Sequence, residues 1–322
     1  CETSDYWRGL NSSSVLEPVM KLYNMTGEKR YLDFGGYIAE CGGTSVENLF
    51  DLALNDKMMP YQYPVTKAYE MISCFEGVLE YYRVTGDEKY RTAVVNIGKR
   101  VLETDFTVIG SGGCTGEQFD HSFVRQANTT NSRVKQETCV TVTYMKFFLQ
   151  LLLVTGNTGV SLNGESTDAA SGYIRISREW KSGDTVELDL DMRIRTERPM
   201  PYGHQILMTK VDWGHNYILP VYDEEDPAAK YHIALLRGPV VLAQDSRLGS
   251  EIDGAVQIAV DSEGYAEGRL TADIPFPHAV GAEILLSDGS CMKTVDYGSA
   301  GKLWTNKSRV AAWILTKDCA GE

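Results

Sequence analysis

Apolar positions along this chain change their period near residue 158. Before it they recur at i, i+3, i+4 and i+7 over 13–25, 29–41, 64–84, 88–103 and 137–154, the stripe of amphipathic helices. After it they alternate. Segments 172–180 and 185–192 switch faces at every residue, with Lys181-Ser182-Gly183-Asp184 as the turn between them, and 231–236, 240–243, 282–286 and 311–315 add strands. The pattern predicts a helical domain over 1–157 and an antiparallel β-sandwich over 158–322, an α + β multidomain chain. Asn11 or Ser12 is the expected cap of the first helix.

The helices repeat. Leu22-Tyr23-Asn24-Met25-Thr26-Gly27-Glu28-Lys29-Arg30-Tyr31 parallels Tyr81-Tyr82-Arg83-Val84-Thr85-Gly86-Asp87-Glu88-Lys89-Tyr90, and Leu151-Leu152-Leu153-Val154-Thr155-Gly156-Asn157 begins the unit a third time. In each copy a glycine ends one helix, an acid or Asn caps the next, and the two full copies dock a tyrosine in its first turn. Helix pairs repeating at this period predict an α/α toroid or a helical array. The third copy breaks off: after Asn157 the sequence turns at once into a strand pattern. An apolar helix face is left without its partner, which reads as residues lost between about 155 and 159. A short natural linker is the other reading.

Composition narrows the function. The net charge of −13 and the lack of a basic stripe exclude a polyanion such as nucleic acid as the expected partner. The most apolar run, 147–154, is far shorter than the roughly 20 residues a bilayer needs, so no membrane partner is expected. No signal-peptide pattern opens the chain, and compartment and oligomeric state stay open. The seven cysteines are scattered through a chain too long to need disulfide staples. Cys41 and Cys74 fall on apolar helix faces and are expected to pack there.

Chemistry concentrates between Ser111 and Cys139. Glu137 and Cys139, two residues apart, can both reach one metal; thiolate sulfur suits zinc, with carboxylate oxygen as companion. Capping by Glu137 and burial of Cys139 would explain the same residues. Glu117 follows Ser-Gly-Gly-Cys-Thr-Gly, a loop that allows close backbone approach, and is the candidate acid/base. His121 is a candidate for binding a sugar hydroxyl. Trp7, Tyr61, Tyr63 and Tyr69 are candidate stacking platforms, with Trp7 and Tyr69 placed in the substrate site.

The ordered stretches 109–120, Gln136-Glu137-Thr138-Cys139 and 151–156 resemble glycoside hydrolase family 127. Segments 172–184 and 234–243 look like that family's C-terminal β region. The resemblance implies an α/α-toroid domain followed by β-sandwich domains and β-L-arabinofuranosidase-like activity on a carbohydrate. It implies Glu117 as general acid/base and Glu137 and Cys139 as two zinc ligands. In the family an adjacent Cys-Cys pair completes the zinc site, and one of the two is the nucleophile of a retaining mechanism. No Cys-Cys occurs in this chain. The pair belongs where the third helix repeat breaks off, so the nucleophile is expected in the missing segment. Cys114 is a candidate substitute ligand. The family's pocket histidines are also replaced, by Cys1-Glu2-Thr3-Ser4 and Val65-Thr66-Lys67-Ala68-Tyr69-Glu70. The chain as it stands is therefore expected to be inactive. A non-catalytic carbohydrate-binding protein and a polysaccharide lyase on the same architecture are the alternatives.

Overall fold

The computed structural model describes residues 6–114, 116–126, 136–155, 160–162, 165–167, 179, 181–187, 191–199, 231–249, 251–301, 305 and 308–317. They form two compact units, one with the helices and the strands through Glu187, the other with the strands from Ile194 onward.

The helices are α1 (Leu10–Ser13), α2 (Leu16–Thr26), α3 (Lys29–Cys41), α4 (Leu49–Asn55), α5 (Ala68–Thr85), α6 (Glu88–Thr104), α7 (Ser122–Arg125) and α8 (Thr138–Thr155). Every helix expected from the apolar period is present, and α1, α4 and α7 are additions. The repeat is built as its sequence dictates. Gly27 and Gly86 end α2 and α5 in left-handed backbone, φ 67° and 73°, and donate to the carbonyls of Tyr23 and Tyr82 at 2.8 and 2.7 Å. Asp87 caps α6 by accepting from the Lys89 amide at 3.2 Å. Glu28, its counterpart, makes no side-chain cap bond and pairs with Arg30 instead. The expected cap at Asn11 or Ser12 is also absent, because the first long helix starts only at Leu16 and α1 precedes it. Asn11 instead hydrogen-bonds Glu70.

Helix α2 packs on α3 and α5, α5 on α6 and α8, and α4 on α6. Leu16, Met20, Met71, Phe75, Ile97 and Phe147 are fully buried in the shared core, with Cys74 among them. Glycine sets the closeness of α2 and α5. A Cβ on Gly77 would stand 2.5 Å from the Leu16 Cβ and 2.9 Å from the Glu17 amide nitrogen. Because backbone must move, Gly77→Ala is expected to cost about 1–3 kcal/mol; an unchanged urea midpoint would contradict this packing.

Helix α8 has an exposed apolar face. Val142, Met145, Leu149 and Leu153, at helical spacing, are 58, 70, 55 and 55 % exposed. Residues 156–159, where the gap is expected, lie outside the described residues. No helix among the described residues is long and apolar enough to cross a membrane.

In the first unit, β1 (Val160–Leu162) pairs antiparallel with β2 (Glu165–Thr167) and β3 (Val186–Glu187). The second unit holds β4 (Ile194–Glu197), β5 (His232–Arg237), β6 (Val240–Asp245), β7 (Tyr265–Ala266), β8 (Gly268–Leu270), β9 (Gly281–Leu285), β10 (Cys291–Asp296), β11 (Val310–Ala311) and β12 (Ile314–Leu315). All strand pairs are antiparallel, in the order β7-β4-β5-β6-β10-β9-β8, with β11 on β6 and β12 on β5. The two ends of that path, β7 and β8, are separated in sequence by Glu267 alone, so the sheet curls nearly into a barrel. Ile194, Ile233, Leu235, Leu242, Ile284 and Ile314 fill its core. The strand expected over 172–180 lies outside the described residues except for Glu179.

Candidate active site

The site is assembled from a strand-like approach of two loops. The Ala68 amide donates to the Glu117 carbonyl at 3.0 Å and the Phe119 amide to the Thr66 carbonyl at 2.7 Å. The buried Thr66 hydroxyl donates to Gln118 Oε1 at 2.7 Å, with Gln118 itself buried. This clasp fixes the start of α5 against the loop that carries Glu117.

Lys67 stands at the centre. Only 6 % exposed, it pairs with the Glu117 carboxylate, lies 3.9 Å from Glu70 Oε2 and stands 5.5 Å from the centroid of the Trp7 ring. A buried ammonium needs anionic partners, and these two glutamates supply them. Burial pushes the Glu70 carboxyl up, the Lys67 charge opposes that, and Glu137 adds to it. Glu137 and Glu70 each keep a buried Oε2 without a hydrogen bond.

Backbone conformation marks the same place. Trp7, Arg8, Asp56, Glu117 and His121 are the non-glycine residues with positive φ among the described residues, and three of them are expected site residues. Left-handed backbone costs such residues about 1–3 kcal/mol each and persists only where surroundings enforce it. For His121 the enforcing group is Asp105. Its fully buried Oδ1 accepts from the amides of Asp120, His121 and Ser122 at 2.9, 2.9 and 3.2 Å, while Thr104 donates to Oδ2 at 2.6 Å. The His121 ring then stacks on Tyr61, centroids 4.8 Å apart and 11° from parallel.

Burial and the adjacent Asp120 carboxylate push Asp105 up to about 7. Glu76 on α5, buried beside Lys146 and Glu17, is also pushed up to about 7, chiefly by burial. Acids whose folded values lie above their unfolded ones keep a proton that the unfolded chain releases. The contribution of these two groups to stability is fully present below about pH 4 and is lost as pH rises to about 7, with a slope near 1.4 kcal/mol per pH unit per group. Asp105→Asn and Glu76→Gln are each expected to flatten the melting temperature across that window, and the double variant most. Parallel curves for wild type and variants would sink this assignment.

The expected site residues are brought together unequally. Glu117 and Trp7 meet through Lys67, and Glu117 is 45 % exposed on its side chain. Trp7 is buried to 7 % with Lys67 over its face, so little of the ring is open for stacking; Tyr61 and Tyr63 are buried, whereas Tyr69 is 43 % exposed on the first turn of α5. Cys139 is exposed and hydrogen-bonded to Glu137, whose carboxylate pushes the thiol up. Carboxylate and thiolate are both donor types that a zinc site uses. Among the described residues no three His, Cys, Asp or Glu side chains come together to hold a metal, so the described chain does not complete one. Cys114 does not substitute: it is buried and its thiol lies 3.9 Å from the Ser122 carbonyl. Lys67 and Asp105 were missed by the sequence reading. The signal for Lys67 was a cation in an apolar stretch just ahead of a helix, with Glu70 one turn on.

No curated protein matches the chain. In fold it is similar to a solved structure titled as a GH127 beta-arabinofuranosidase, at 13 % identity and TM-score 0.52, over 94 % of this chain and 68 % of that one. A second, titled glycoside hydrolase, matches at 11 % identity and TM-score 0.53, over 95 % and 75 %. A GH127 beta-L-arabinofuranosidase from Geobacillus stearothermophilus T6 overlaps 94 % of this chain and 72 % of its own at 12 % identity and TM-score 0.48. The family described as beta-L-arabinofuranosidase, GH127 catalytic domain, matches residues 8–161. Those residues carry the Lys67–Glu117 clasp, Glu137 and Cys139, so the part of the chain that is similar to the catalytic domain of glycoside hydrolase family 127 is the part that holds the candidate site.

Proposed function

We propose that the helical unit is the substrate-binding part of a retaining, β-L-arabinofuranosidase-like glycosidase acting on arabinofuranose-containing glycans. The observation that carries this reading is the Glu117 carboxylate, held in left-handed backbone by the clasp to α5 and exposed beside Lys67 within the family-matched region. In such a reaction Glu117 protonates the leaving glycosidic oxygen, then takes a proton from the water that releases the sugar. His121, fixed by Asp105 and Tyr61, and Tyr69 at the start of α5 orient sugar hydroxyls.

Glu137 and Cys139 are two ligands of a zinc site whose other ligands, an adjacent cysteine pair, this sequence lacks. Zinc bound to such a set holds thiolates ionised near neutral pH. The same missing stretch would supply the helix that covers the exposed face of α8 and continues the α/α toroid.

The 322-residue polypeptide is expected to bind an aryl β-L-arabinofuranoside by calorimetry without releasing phenol. Turnover by this polypeptide would refute the missing nucleophile. Absence of any arabinofuranoside binding would refute the glycan site itself.

A further inference from the structure

The second unit carries a groove of about 570 Å³, lined by the approach to β4, the last residue of β5 and the β7–β8 segment. Small-molecule sites occupy roughly 300–1,000 Å³. Met192, Ile194 and Leu270 give this groove apolar surface.

Three arginines line it, and two are already engaged. Arg193 pairs with Asp191 at 2.9 Å and with Glu263, and lies over the Tyr265 ring at 3.7 Å. Arg269 pairs with Glu283 at 2.7 Å. Asp261 accepts from the amides of Glu263 and Tyr265, at 2.8 and 3.0 Å.

Arg237 and Glu267 differ from these. The guanidinium of Arg237, half-buried at the end of β5, has no hydrogen bond or ion pair among the described residues, and neither has the exposed Glu267 carboxylate. The two groups left to a ligand are thus one planar fork of N–H donors and one carboxylate acceptor, whose charges cancel. An anion would gain Arg237 but meet Glu267, and a cation the reverse. A neutral ring with hydroxyls that both donate and accept, and C–H faces that cover apolar side chains, satisfies both.

We propose that this groove binds a neutral sugar unit of a glycan chain, as an accessory site built wholly from the second unit. The choice of a sugar rests on the glycosidase reading above. The unengaged Arg237–Glu267 pair does not.

The test is an amide NMR titration of the 322-residue polypeptide with a neutral arabino-oligosaccharide, and with galacturonate and chitosan oligomers of equal length as charged comparators. The neutral oligomer is expected to shift the amides of Arg237, Tyr265 and Gly268. Arg237→Ala and Glu267→Ala should each weaken that binding about tenfold, the order of a lost charge-assisted hydrogen bond. Unmoved groove amides, tighter binding of either charged oligomer there, or wild-type affinity in both variants would overturn the proposal. If Arg237→Ala misfolds, exposed Glu267→Ala decides alone. Amides of the helical unit report the Glu117 site separately, so failure of that site and failure of this one are read apart.

Discussion

Asp105→Ala is expected to unfold the site loop and lower the stability of the helical unit by about 3–5 kcal/mol. One oxygen of Asp105 accepts three successive backbone amides and the other accepts the Thr104 hydroxyl, all out of water. Removing the carboxylate strands these donors, at about 1–3 kcal/mol for each buried donor left unsatisfied. Relief of a buried, charge-crowded carboxyl offsets part of that cost. The loss remains a large share of the 5–15 kcal/mol typical of a whole domain. Asp105→Asn keeps the acceptor for the amides and should cost under about 1.5 kcal/mol. Urea unfolding separates the cases: equal midpoints for Ala and Asn would mean the acceptor oxygen does not hold the loop. His121 should also leave the Tyr61 ring in the Ala variant, visible as altered ring-proton shifts.

Lys67→Met is expected to cost about 2–3 kcal/mol and to loosen Glu117, although methionine fills a similar volume. Breaking one side of a buried ion pair typically costs about 3–5 kcal/mol because the remaining charge stays uncompensated. The lower figure applies because Glu117 is nearly half exposed and water shares its charge. Glu70 is the group that suffers: it is 13 % exposed on its side chain and its buried Oε2 has no hydrogen bond. Lys67→Arg keeps the charge and should recover most of the loss. A Met variant as stable as wild type would show that Lys67 is not the counter-charge of this site.

The helices were legible because their apolar stripes span three turns or more and because Thr-Gly followed by an acid punctuates each pair. The seven-residue α4 escaped, since two turns hardly establish a period; its signal was Asn48, which accepts from the amides of Phe50 and Asp51 at 3.0 Å. Strands β7 and β11, two residues each, cannot display an alternation at all, and β10 hides behind its Lys293 and Thr294.

Glu117, Glu137 and Cys139 could be singled out as candidates because they lie close together along the chain. Lys67 could not, because a lone lysine ordinarily marks surface and only the 50-residue return of the Glu117 loop buries it. Asp105 was likewise hidden. An acid after a helix looks like an exposed cap until amides from 15 to 17 positions downstream fold onto it.

The most direct test of the proposed sugar site around Glu117 is an amide NMR titration of the polypeptide with methyl β-L-arabinofuranoside. The account predicts shifts concentrated near Trp7, at Thr66–Lys67–Ala68 and through Glu117–His121. Shifts confined to other parts of the chain, or none at saturating sugar, would contradict it.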